Sequence, residues 1–174
     1  MKKTAVAFLA LLGIFGIIQA QNDLDELSKI RKLLRDNVMK EMPAWTNRSV
    51  EPIEGSQDVL IEQWESGDII VKIAVTKYPD EDRAVRGFKD FKSHLTIEEK
   101  AQSKRRGKPF HLIKEDLQGI GDEGFVSDTR GSEGVTFRKG KFLVNISVPS
   151  PADNTDVFFS RKFANCVTKA LDDR

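Results

Sequence analysis

The residues that could do chemistry are few and scattered along the chain. His94 and His111 are the two histidines, and neither has a partner at metal-ligand spacing such as His-x-x-x-His. Cys166 is the single cysteine. A thiol nucleophile needs a positioned base, and sequence places no histidine beside it. Burial of Cys166 as a small apolar residue in the last helix is the expectation. Asp80-Glu81-Asp82 is acidic, but the dipole of a helix favours acids in its first turn, so capping explains them. Asp122, Glu123 and Asp128 could meet a cation, yet the twelve-residue loop pattern of an EF-hand is absent. The sharpest charge cluster is Lys104-Arg105-Arg106-Gly107-Lys108. It is expected as a basic loop over residues 103–108, able to meet lipid headgroups or an acidic protein face. The candidate ligand-binding residues are therefore Lys104, Arg105, Arg106, Lys108, Asp122 and Glu123. No catalytic residue, metal site or cofactor is assigned.

The elements that must position these residues follow from hydrophobic period and turn chemistry. Leu24, Leu27, Ile30, Leu34 and Val38 fall on one face of a helix over residues 23–40, with Asp23 and Glu26 as a capping box and Pro43 as its stop. Residues 46–53 form a short edge strand weakened by Pro52. Residues 59–65 and 69–78 flank Ser66-Gly67-Asp68 as a hairpin. In the second strand Val71, Ile73 and Val75 alternate with Lys72, Ala74 and Thr76, so one face is apolar and the other mixed. A helical region over residues 80–102 carries Val85, Phe88, Phe91 and Leu95 on one stripe. Gly87 weakens it, and Thr96-Ile97-Glu98-Glu99 reads as a second capping box that would bend it into two helices. Strands are expected at residues 110–117, 125–128, 135–138 and 142–148, with a turn at Gly131–Gly134, and a last helix at residues 155–171. Helix, three strands, helix, four strands, helix: this is α+β, with an antiparallel sheet of about six to seven strands covered by N-terminal, middle and C-terminal helices.

Residues 1–20 have the three-part form of a cleavable signal peptide. Lys2 and Lys3 precede an uncharged stretch over residues 4–20 that is rich in Leu and Ile and ends in Ala20. That stretch is shorter than the roughly 20 apolar residues a membrane span wants. Residues 21–174 then form a single domain with no second long apolar segment, and the expected location is the periplasm or the medium. A lone cysteine cannot close an internal disulfide, so an exported chain of this kind relies on its core. The chain has 28 basic and 27 acidic residues, and loss of Lys2 and Lys3 leaves 26 basic against 27 acidic. That balance argues against general nucleic-acid binding, which needs a marked basic excess.

The loop Leu117-Gln118-Gly119-Ile120-Gly121-Asp122-Glu123-Gly124-Phe125, followed by Val135-Thr136-Phe137-Arg138-Lys139-Gly140 and the strand over 142–148, resembles a pattern in bacterial exported α+β domains, sensor-like and uncharacterised ones among them. The resemblance covers roughly residues 110–171. It implies a style of fold and brings across no catalytic residue. The glycines permit tight turns, and Asp122 and Glu123 can accept hydrogen bonds from loop amides.

Three functional readings follow. The first is a non-enzymatic exported binding or sensor-like domain, monomer or weak dimer, meeting an unknown ligand or envelope protein. The second is an envelope-associated accessory protein touching anionic surfaces through residues 104–108. The third is a hydrolase whose site is assembled from distant residues. An exposed sheet face with aromatics would favour the first. The signal reading predicts that the full-length gene expressed in a bacterium yields, in periplasm or medium, a protein whose intact mass equals residues 21–174. A full-length mass in the membrane fraction would show an anchor instead.

Overall fold

The computed structural model describes residues 26–48, 50, 58–129, 132–149 and 156–174. The expected cap Asp23, Leu24, the signal segment and most of the chain between 49 and 57 lie outside them. The elements are α1 (residues 26–41), β1 (Thr46–Arg48), β2 (Val59–Ser66), β3 (Ile69–Lys77), α2 (Glu81–Arg106), β4 (Ile113–Asp116), β5 (Glu123–Thr129), β6 (Ser132–Lys139), β7 (Phe142–Pro149) and α3 (Asp156–Asp172). The seven strands form one antiparallel sheet in the order β1-β2-β3-β7-β6-β5-β4. The α+β architecture and its element order are those expected from the sequence.

Alternation along the strands sorts side chains to two faces. On one face Val71, Ile73 and Val75 of β3 join Val144 and Ile146 of β7 and Val135 and Phe137 of β6. Helices α1 and α3 cover them with Leu27, Ile30, Leu34 and Val38, and with Phe163, Val167 and Ala170. Two hydrogen-bonding groups tie these helices down. Asn37 Nδ2 donates to the Cys166 carbonyl across the helix pair. Glu62 of β2, buried between Leu60 and Trp64, accepts from Arg35 Nε and Nη2 at 3.2 and 3.0 Å, and from Asn47. Arg31 Nε also lies 3.0 Å from it. A buried carboxylate is tolerable here because cations and an amide surround it.

Helix α2 covers part of the opposite face. Phe88 and Leu95 pack with Leu112 and Phe125, and with the half-buried Phe91 and Leu143. Gly87, a weak helix former, has a packing reason: a Cβ there would lie 2.3 Å from the Tyr78 hydroxyl oxygen.

Four expectations need correction. The middle helix does not divide at Thr96 but runs unbroken to Arg106. The Thr96 hydroxyl donates to the Lys92 carbonyl, and Glu99 reaches out of the helix to accept from the Leu112 and Ile113 amides. Both side chains have partners that a capping box would deny them. Residues 103–106 are therefore helix, not loop. Lys104, Arg105 and Arg106 complement the negative end of the helix dipole, and Gly107 closes it at φ 65° in the left-handed region. The strand expected at 110–117 is only Ile113–Asp116, so His111 is not in a strand. Gly134 lies within β6, opposite Ser127 and Ser147, where a Cβ would come 2.6 Å from the Ile146 carbonyl oxygen.

Glu26 opens the described part of α1 with Lys77 Nζ at 2.7 Å, Lys141 Nζ at 3.0 Å and Arg174 Nε at 3.5 Å. Partial burial pushes its carboxyl up, but hydrogen bonds and charge from Lys77 and Lys141 outweigh that and hold it below its ordinary 4.5. A lowered folded value means stabilisation that is present above the unfolded pKa and drains away as pH falls through the folded one. We predict that the urea midpoint of wild type falls more steeply than that of Glu26→Gln between about pH 5 and pH 3. Parallel acid profiles would refute this role for Glu26.

Candidate functional site

The residues singled out in the sequence do not come together. Asp122 and Glu123 sit beside the start of α2, whereas Lys104, Arg105 and Arg106 form its last turn. At 1.5 Å per residue, Glu81 and Arg105 stand about 36 Å apart along the axis.

Asp122 and Glu123 are occupied from within. Arg138 of β6, 9% exposed, threads between them. Its Nη1 donates to Asp122 Oδ2 at 2.9 Å, to Glu81 Oε1 at 3.0 Å and to the Gly140 carbonyl at 2.9 Å, while Nε donates to Glu123 Oε1 at 2.8 Å. Asp122 Oδ2 also accepts from the Gly140 amide at 2.7 Å. Burial works against the Arg138 charge, yet the three carboxylates overcome it and raise its pKa. This is a pin joining the turn before β5, the β6–β7 hairpin and the N-terminus of α2. A cleft of about 300 Å³ beside it is lined by Phe88, Lys92, Asp116, Leu117, Gln118, Asp122, Glu123 and Gly124. Its facing charges are largely paired, Lys92 Nζ donating to Asp116 Oδ1 at 2.7 Å.

Cys166 is 1% exposed, and its Sγ lies 3.8 Å from Glu41 Oε2. Burial, then the Glu41 charge, push the thiol up to about 12, so it stays protonated at neutral pH. His94 is exposed on α2 with Nδ1 at 2.8 Å from the Asp90 carbonyl oxygen, and His111 is exposed in the loop before β4. Among the described residues no group of histidine, cysteine and carboxylate side chains is placed to hold a metal ion.

The outward face of α2 is different. Arg86, Lys89, Ser93, Ile97, Lys100 and Lys104 recur at spacings of three and four, which puts them in one stripe. From Arg86 to Lys104 the stripe is about 27 Å long. Its middle is a shallow depression of about 570 Å³ lined by Lys89, Lys92, Ser93, Thr96, Ile97 and Lys100. Among the described residues no carboxylate forms an ion pair with Arg86, Lys89, Lys100, Lys104, Arg105 or Arg106. Asp90 stands on the flank of the stripe, and Glu99 is drawn away to the Leu112 and Ile113 amides. Arg106 stacks on Phe110 with its guanidinium 4.2 Å from the ring centre, so it is oriented rather than free. Lys104, Arg105, Arg106 and Lys108 stand out in the sequence because they cluster within five residues. Arg86, Lys89 and Lys100 do not, because their signal is helical spacing across a span expected to bend.

No known family model and no curated protein matches this sequence. Among solved structures, a GTP binding regulator from Thermotoga maritima is similar over 84% of this chain and 87% of that one, at 15% identity and a TM-score of 0.43. That degree of likeness says nothing of what this chain binds.

If Arg138 is a pin, its loss leaves Asp122, Glu123 and Glu81 facing one another without a cation. Arg138→Met should lower stability by about 1–3 kcal/mol in urea unfolding, the lower end reflecting how exposed the three acids are. An unchanged urea midpoint would contradict the structural role.

Proposed function

We propose that this is an exported, non-enzymatic domain that binds an anionic partner along the outward face of α2. The single observation carrying the reading is the unpaired basic stripe from Arg86 to Lys104. The helix dipole accounts for cations in the last turn, but not for Arg86, Lys89 and Lys100 in the body of the helix. A solvated helix face normally intersperses both signs to form i,i+4 pairs. Asp82 and Asp90 stand four residues from Arg86 without pairing with it, and Lys89, Lys100 and Lys104 have no acid three or four residues away on the helix. The other candidates support the choice by being engaged elsewhere. Asp122 and Glu123 hold Arg138, and Cys166 is buried and protonated. Among the described residues the exposed large apolar side chains, Met39, Ile97 and Phe158, all stand on helices, so the described strands show no exposed aromatic face.

The test separates position from charge. On phosphocellulose at low salt, the wild type should be retained, and Lys89→Ser with Lys100→Ser and Lys104→Ser should elute markedly earlier. A second triple variant, Lys29→Ser with Lys32→Ser and Lys40→Ser, removes the same charge from α1 and should elute close to wild type. Retention of the wild type should fade as salt rises toward about 0.5 M, where screening shortens to a few ångström. Equal elution of the two triple variants would mean that net charge, and not the α2 stripe, does the binding.

A further inference from the structure

We infer that the anionic partner is a lipid surface carrying anionic headgroups, with α2 lying lengthwise on it and Ile97 entering the headgroup layer. The inference rests on α2 being the anion-binding face and adds what that face meets.

Shape argues first. The depression along the stripe is lined by residues of α2 alone, with no wall from another element. A small phosphorylated ligand is held by enclosing walls that remove most of its surface from water. Here the cations stand in a row on a convex, unbroken helix, which presents them together to something broad and flat. Over about 27 Å, four basic side chains face one plane, and each lysine or arginine near an anionic bilayer adds to the attraction.

Ile97 decides between a lipid surface and a soluble polyanion. It is 65% exposed in the middle of the stripe, with Lys100 one turn onward and Thr96 beside it. Isolated exposed apolar residues are ordinary. The placement of this one is not neutral, because it stands between Lys89 and Lys100 on the same face. A soluble polyanion would be met by the cations and would leave Ile97 in water. An anionic bilayer offers phosphate to the lysines and hydrocarbon a few ångström deeper to the isoleucine, as for helices that lie in the interface. The Ser93 and Thr96 hydroxyls beside it suit the polar headgroup layer between the two.

The experiment uses the purified protein as obtained from the expressing bacterium, with vesicles of phosphatidylglycerol and phosphatidylcholine in equal parts, against vesicles of phosphatidylcholine alone. Sedimentation should show binding to the anionic vesicles and little to the neutral ones. Ile97→Ser should weaken vesicle binding about fivefold, since it removes an apolar group of some 1 kcal/mol when partly inserted. The same variant should keep its full phosphocellulose retention. Ile97→Cys carrying an environment-sensitive fluorophore should shift to the blue on anionic vesicles, and the same dye at Lys32→Cys should not. Cys166, being buried, leaves the introduced thiol as the one labelled. Retention on phosphocellulose without vesicle binding would overturn the lipid inference and leave a soluble polyanion as partner. Loss of both would overturn the anion-binding reading itself. Vesicle binding unaffected by Ile97→Ser and with no fluorophore shift would overturn the insertion of Ile97.

Discussion

The pairing of β3 with β7 is the constraint from which the rest follows. Lys72 through Lys77 lie against Ser147 through Phe142, so two strands far apart in the chain share the middle of the sheet. Before that pairing there is a β1–β3 meander and a β4–β7 meander, each able to bury only part of one face. Once joined, Val71, Ile73 and Val75 meet Val144 and Ile146, and a continuous apolar face exists for α1 and α3 to cover. Such a contact closes a long loop, which costs entropy before any burial rewards it. The reward is the larger of the two buried apolar clusters among the described residues, with Trp64, Phe137 and Phe163 in it.

The same pairing dictates the placement of α2. With β7 beside β3, the chain leaving β3 must reach β4 at the far edge, past β7, β6 and β5. Four strand spacings amount to about 19 Å sideways. A helix of 26 residues crosses that distance and comes to rest on the second face over Phe125 and Leu143. It has one side to bury, and among the described residues no further layer lies above it, so its outer side is open to solvent or to a partner.

Charge is handled in two opposite ways in this protein. Glu62 and Arg138 are buried, and each is surrounded by groups of the other sign that join separate elements. A missing partner there would leave an uncompensated charge in a poorly solvated place. On the outer face of α2, water solvates each cation fully, and unpaired charges cost the fold little. Pairing is therefore enforced where stability demands it and is absent where the surface is free to meet an anion.

The sequence by itself determined the α+β class, the order of elements and the apolar side of β3, because period and turn chemistry are local properties. Gly67 and Gly140, both at positive φ, mark two-residue turns that hold wherever the hairpins end up. It also singled out Lys104, Arg105, Arg106, Asp122 and Glu123 as charged residues of note. Only the tertiary structure decided what those charges do. Asp122 and Glu123 became partners of Arg138 because the β5–β6 pairing sets Glu123 opposite Arg138. Glu99 resembled a cap in the sequence, but the incoming Leu112 and Ile113 amides captured it, and the helix ran on. That continuity aligned Arg86, Lys89 and Lys100 with Lys104 in one stripe. A helical face extends only as far as its helix is unbroken, and whether this one breaks is settled by contacts made thirteen residues away.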